Sequence, residues 1–235
     1  MKKITLLLLF ALLLATFALH AQKQFSGVIR FQTKMEGTDN PNLISSVETQ
    51  TIDVSILGNK AKSVIVIEEP VPISMTNVWD GDKETSYFVI EITGMGKYYI
   101  KWNSEQVKDR NKFKEFKYSY EDDFKTICDF KCQKVTVTIT NLEDDSQSEQ
   151  ILYVTKEIGT AKINGSEYPN LEGYPLLLMS PLEDFCEECW GVTEATKITT
   201  KKIKDVDFLL PDDAKNIDEN PELKEQLQNM LGIPD

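Results

Sequence analysis

From Phe25 onward, apolar side chains recur at every second position. Ile29, Phe31, Thr33 and Met35 fall on one face of an extended segment, and Val28, Arg30, Gln32 and Lys34 on the other. That alternation predicts a half-buried strand. Gly37 to Pro41 then interrupts it with turn formers. Between Glu48 and Leu57 the pattern resumes, with Ile52, Val54 and Ile56 on one face. Gly58-Asn59 supplies a turn, and Lys60 to Ile67 leads back as the second arm of a hairpin. Further strands are predicted at Thr76–Trp79, Thr85–Ile92, Lys97–Trp102, Lys134–Thr140 and Gln150–Thr155. Asp80-Gly81 is a strong turn signal between the first two of these. A strand pair is expected from about Gly191 to Leu210. Asn103 to Phe124 is charged and aromatic, and its pattern selects no single element. Near the C-terminus the period lengthens. Asn220 fits an N-cap, Pro221 a first helical position, and Leu223, Leu227, Met230 and Leu231 recur at helical spacing. A short helix over 221–231 follows, expected to lie as a lid on the sheet. The sum is nine or ten strands and one or two short helices. The fold class is mainly β, a large antiparallel sheet that is curved or barrel-like.

The first 21 residues have a different character. Lys2 and Lys3 precede a run of Leu, Phe and Ala from Ile4 to Leu19, and Ala21 stands before a polar stretch. A basic start, an apolar core and a small residue at the cut are the layout of a secretory signal. The run is about 16 residues, short of the ~20 that span a bilayer. Cleavage after Ala21 is expected to leave one β-rich domain, 22–235, in the periplasm or outside the cell. Loss of Lys2 and Lys3 leaves 24 basic against 38 acidic residues, a net charge of −14. Such a surface repels nucleic acid and anionic membranes, so neither is an expected partner and no spanning segment is predicted.

The single histidine, His20, lies in the signal. The remaining chain therefore has no Ser-His or Cys-His nucleophile system and no histidine metal ligand. Carboxylates are abundant, as in Asp80/Asp82/Glu84 and Glu121/Asp122/Asp123, but none has calcium-loop spacing. A hydrolase built on two distant acids would need them brought together in a cleft, one with a raised pKa. The cysteines are Cys128, Cys132, Cys186 and Cys189. In an exported chain an even number reads first as disulfides. Cys186 and Cys189 can close on themselves. Cys128 and Cys132 cannot pair within one extended strand, where they would stand about 13 Å apart. They could pair across a turn, or each could pair with the other segment. A four-cysteine zinc site is the second reading. A redox-active C-x-x-C is the third, disfavoured by Glu187 and Glu188, which would raise the thiol pKa. The disulfide reading is adopted, with no metal and no cofactor.

Three segments carry a family resemblance. Thr126-Ile-Cys-Asp-Phe-Lys-Cys-Gln-Lys-Val135 is similar to the "k-I-x-G-y-k-C-x-k" segment of the GLPGLI-type group, secreted bacterial proteins of unknown function. Ile151-Leu-Tyr-Val-Thr-Lys-Glu-Ile158 is similar to that group's "WyT-x-e-I" strand. Leu171-Glu-Gly-Tyr-Pro-Leu-Leu-Leu-Met179 resembles its naming signature, and Phe25-Ser-Gly-Val-Ile-Arg-Phe31 fits its opening. The order holds over about 25–210. Asp129 stands where the group has Gly, and Tyr174-Pro-Leu replaces Leu-Pro-Gly. The resemblance implies a fold like the lipoprotein carriers LolA and LolB, an open half-barrel wrapped round a hydrophobic cavity. It also implies a binding role rather than an enzymatic one, for a lipid or a lipidated chain. Tyr174, Leu176, Leu177, Leu178 and Met179 are the candidate cavity residues. The competing expectation is that this run is a core strand of an envelope interaction module with no ligand.

Overall fold

The computed structural model describes residues 24–41, 44, 51–67, 72–165, 167–182, 186, 188–222 and 224–225. The signal-like segment 1–21 lies outside them. Twelve strands form one sheet: β1 (Ser26–Glu36), β2 (Thr51–Leu57), β3 (Lys60–Ile67), β4 (Ile73–Asp80), β5 (Thr85–Ile92), β6 (Gly96–Trp102), β7 (Lys114–Ile127), β8 (Phe130–Asn141), β9 (Gln147–Thr155), β10 (Tyr174–Pro181), β11 (Trp190–Thr200) and β12 (Lys215–Asn216). Their order across the sheet is β12-β6-β5-β4-β3-β2-β1-β11-β10-β9-β8-β7. All neighbours are antiparallel except β12, which runs parallel to β6. Two meanders, β2–β6 and β7–β11, meet on either side of the central β1.

The sheet is open and strongly curved, and the chain path shows why. β6 and β7 are consecutive strands but lie ten positions apart in the sheet. A flat sheet would separate them by about 48 Å. Only residues 103–113 join them, and six of these form the helix α1 (Ser104–Asp109). A helical residue advances ~1.5 Å and an extended one ~3.4 Å, so the link reaches about 30 Å at most. The sheet must curl to bring its two ends within that reach. α1 starts at an Asn103 capping box: Asn103 accepts from the Gln106 backbone, and the Gln106 side chain accepts from Asn103 N–H. The segment whose pattern selected no element is therefore this short helix followed by the first part of β7.

The alternation along the strands sorts the two faces. Ile29, Phe31 and Met35 are buried, as are Val54 and Ile56 opposite them. Val135, Val137 and Leu152 form a second buried group with Tyr168 and Leu171. On the outer face, the expected strand pair over 191–210 is only half present. β11 ends at Thr200, and 201–214 is a strap with a single 3-10 turn at Asp205–Phe208. Ser26 Oγ donates to Lys201 O and accepts from Ile203 N–H, which turns the chain off the sheet. The strap then lays Ile203 and Phe208 on Val28, Val78 and Tyr87. Tyr87 donates to Phe208 O at 2.7 Å. Beyond β12 the chain rounds the sheet edge, and Ile217 packs on Ile90 and Ile92. Pro221, Glu222, Lys224 and Glu225 are helical, and the rest of the expected 221–231 helix lies outside the described residues. Among the described residues, no helix is long and apolar enough to cross a membrane.

Candidate ligand-binding cleft

The inner face is crossed by the long β9–β10 connection, residues 156–173. Apolar side chains anchor it from below: Ile158 joins the cluster of Ile29, Val54 and Leu176, while Tyr168 and Leu171 join Val135 and Leu152. Polar contacts fix it at both sides of the curve. Towards β4, Trp79 Nε1 donates to Lys162 O at 2.6 Å, and Thr160 Oγ1 donates to Asn59 Oδ1 at 2.8 Å. Towards β7, Tyr118 donates to Pro169 O at 2.9 Å, and Tyr120 accepts from Glu172 N–H. Within the connection, the buried Asn164 amide donates to Leu171 O and Gly173 O, closing it into a compact loop. Gly81 permits the close approach on the β4 side. A Cβ there would collide with Lys162 O.

The crossing loop does not fill the inner face. A cleft of about 300 Å³ remains between it and the sheet. Its floor is apolar, with Phe31, Ile52, Val54, Ile65, Trp79 and Leu178. Ser86 of β5 and Leu178 of β10 both line it, although they lie six strands apart in the sheet. A flat sheet would hold them about 29 Å apart, so the cleft is a product of the curvature. Ser63, Asn77 and Thr193 supply neutral polar groups. Among the described residues, two charged side chains line it, Arg110 and Glu167. Although part of Glu167 meets solvent, burial at the cleft pushes its carboxyl above the usual carboxylate range. Tyr168 and Tyr174 are also raised, chiefly by burial and further by the Glu167 charge beside them. Arg110 lies over Trp102, its Cζ 3.8 Å from the ring centroid. A second hollow of about 340 Å³ opens on the far side of Trp79 and Gly165.

Of the five residues expected to line a cavity, Tyr174 and Leu178 do so. Leu176 and Leu177 are buried in the core with Ile29 and Ala195, and Met179 packs against that cluster. A register shift between Pro175 and Leu177 places both leucines among core residues, out of simple alternation. Pro175, inside the bulge, joins the cleft wall. Trp79, Arg110 and Glu167 were not selected by the sequence reading. Trp79 sits just before the Asp80-Gly81 turn, but its partner Lys162 is 83 residues away.

The cysteines divide. Cys186 and Cys189 form a disulfide with Cα atoms 5.2 Å apart. Cys128 and Cys132 are thiols, so one of the two expected bridges is seen. Cys128 occupies the two-residue β7–β8 turn with Asp129, both at positive φ, and its Sγ lies 3.3 Å from Ala195 O. Cys132 is fully buried, and burial pushes its thiol up to about 11. Burial raises Cys128 as well, so neither is poised as a nucleophile. With two sulfurs bridged, the four-cysteine zinc arrangement is not assembled. Among the described residues no group of three or more His, Cys, Asp or Glu side chains converges. A two-acid hydrolytic site needs a second carboxylate in the cleft, and among the described residues Glu167 stands there alone. No protein-family model matches the chain, and no curated protein matches its sequence.

Proposed function

We propose that this is an exported envelope protein that binds a hydrophobic ligand in the cleft beneath the 156–173 loop, without a catalytic role. The observation that carries this reading is the unfilled apolar floor formed by Phe31, Ile52, Val54 and Leu178. Burying an acyl chain there gains roughly 25 cal/mol per Å² removed from water. The volume is at the lower end of the ~300–1,000 Å³ found for small-molecule sites, so a whole lipidated protein would seat only its acyl part. Export is supported by the N-terminal pattern and by the Cys186–Cys189 disulfide, which suits an oxidising compartment. We further propose kinship with the GLPGLI-type group on the segments 126–135, 151–158 and 171–179.

A second reading has its own observation. Ile158, Ile163, Tyr168 and Leu171 fill much of the inner face from within the chain, as in an interaction module with no ligand. Native mass spectrometry of the chain recovered from its export compartment separates the two. A releasable adduct of lipid size, lost when Ser63→Trp fills the cleft, is the result expected of a binder. A bare chain that takes up no offered lipid would leave the filled-core module.

A further inference from the structure

The chain has 26 basic residues but only two arginines, Arg30 and Arg110. They are used in opposite ways. Arg30 makes a two-pronged pair with Asp53, with Nε and one terminal nitrogen each 2.7 Å from a carboxylate oxygen. Arg110 has no carboxylate within ion-pair distance among the described residues, in a protein with 38 acids. Its guanidinium lies over the Trp102 ring instead, in cation–π contact. Arg110 keeps an exposed side chain, and partial loss of hydration lowers its pKa from the usual arginine value. Arg110 lines the apolar cleft and also a neighbouring hollow whose lining includes Lys114, Asn141, Glu143 and Gln147.

We infer that the cleft takes a single-chain fatty carboxylate, with the chain on the apolar floor and the carboxylate on Arg110. This rests on the binding reading proposed above and adds the head group and chain number. A guanidinium matches a carboxylate with two parallel hydrogen bonds, which a lysine ammonium cannot do. The occupant's size follows from the volume. A water molecule's share of the liquid is ~30 Å³, and a methylene takes a similar space, so about 300 Å³ accepts about ten chain carbons. That admits one medium chain and not the two of a diacyl lipid. The other charged lining group is Glu167, whose carboxyl is raised above the usual carboxylate range.

The test is calorimetric titration of the signal-free chain with laurate and with 1-dodecanol below micelle-forming concentrations, at about pH 8, where a carboxylic acid is ionised. Laurate should bind at least about tenfold more tightly than dodecanol, the usual scale of one charge-assisted contact. Arg110→Met should remove that preference, and a far-UV circular dichroism spectrum matching the parent's shows that the variant is folded. Arg110→Lys should keep only part of it. Equal affinity for the two ligands, or a laurate preference that survives Arg110→Met, would overturn the assignment of Arg110 and leave the cleft as a purely apolar site. Failure of both ligands to bind would remove the binding reading itself, and this inference with it.

Discussion

Asp129 adopts φ 70° and Cys128 φ 47°, so the β7–β8 turn has two left-handed positions in succession. Such turns favour Gly at the second position, and Asp is among the few residues that tolerate it. The Asp129→Gly variant should gain about 0.5–1 kcal/mol in denaturant unfolding. A loss of stability would show that the Asp side chain contributes something the turn geometry does not reveal. Asn164 is the opposite case, a buried amide satisfying two carbonyls of its own loop. Asn164→Ala should cost about 2–4 kcal/mol, since Leu171 O and Gly173 O both lose a partner. Residues of this kind were partly legible in advance. Burial of Ile29, Phe31, Val54 and Val135 follows from period-two alternation, which is local. The roles of Trp79 and Arg110 depend on contacts made across the curve of the sheet, and no local pattern encodes those.

Nine of the strands are readable because each carries its own alternation and is bounded by turn formers. The connections are not. The 201–214 strap has Val206 and Phe208 at strand-like spacing, yet only Phe208 is buried and Val206 is 60% exposed. Without a neighbouring strand to pair with, alternation alone does not make a sheet. The 156–173 loop has no period, and its structure comes from anchors at Trp79, Asn59, Tyr118 and Tyr120. If Trp79 holds one side, Trp79→Phe should keep the aromatic packing and lose the bond to Lys162 O. The expected cost is about 1–2 kcal/mol. Hydrogen exchange should quicken across 158–171 and stay unchanged in β8 and β9. Uniform acceleration through the sheet would mean that the loop is integral to the core and not a separately anchored element.

For the whole molecule, charge and curvature matter most. Several carboxylates are held below their usual range, Asp53 by its hydrogen bonds from Arg30 and Glu121 by those from Thr136 and Lys134. A depressed folded-state pKa gives stability that is present above the unfolded value, about 4, and lost as pH falls through the folded value. Glu167 has the opposite sign. Its raised pKa favours folding below about pH 4 and is a cost once it ionises. Thermal midpoints should therefore fall in acid, and Glu167→Gln should raise the midpoint near neutral pH with the gain vanishing in acid. An equal gain at both pH values would mean that the carboxyl is fully hydrated. The sheet ends on β7, where Tyr120 and Phe124 are exposed, with Phe113 exposed just before it. A break in register between Tyr120 and Phe124, and Lys131 over Phe124, guard that edge against pairing with another chain.

A large curved or barrel-like sheet follows from the strand pattern, whereas the size of the cleft depends on how far the 156–173 loop enters it. That cleft is the central claim, and the chain's three tryptophans report on it directly. Trp79 lines the cleft, Trp102 lies under Arg110 at its mouth, and Trp190 pairs with Glu36 and Pro181 away from it. The decisive measurement is the indole N–H region of a ¹H–¹⁵N correlation spectrum during titration with laurate. Saturable shifts of the Trp79 and Trp102 signals, with Trp190 fixed, are the predicted result. No shift at saturating ligand, or equal movement of all three, would contradict a ligand site beneath the crossing loop.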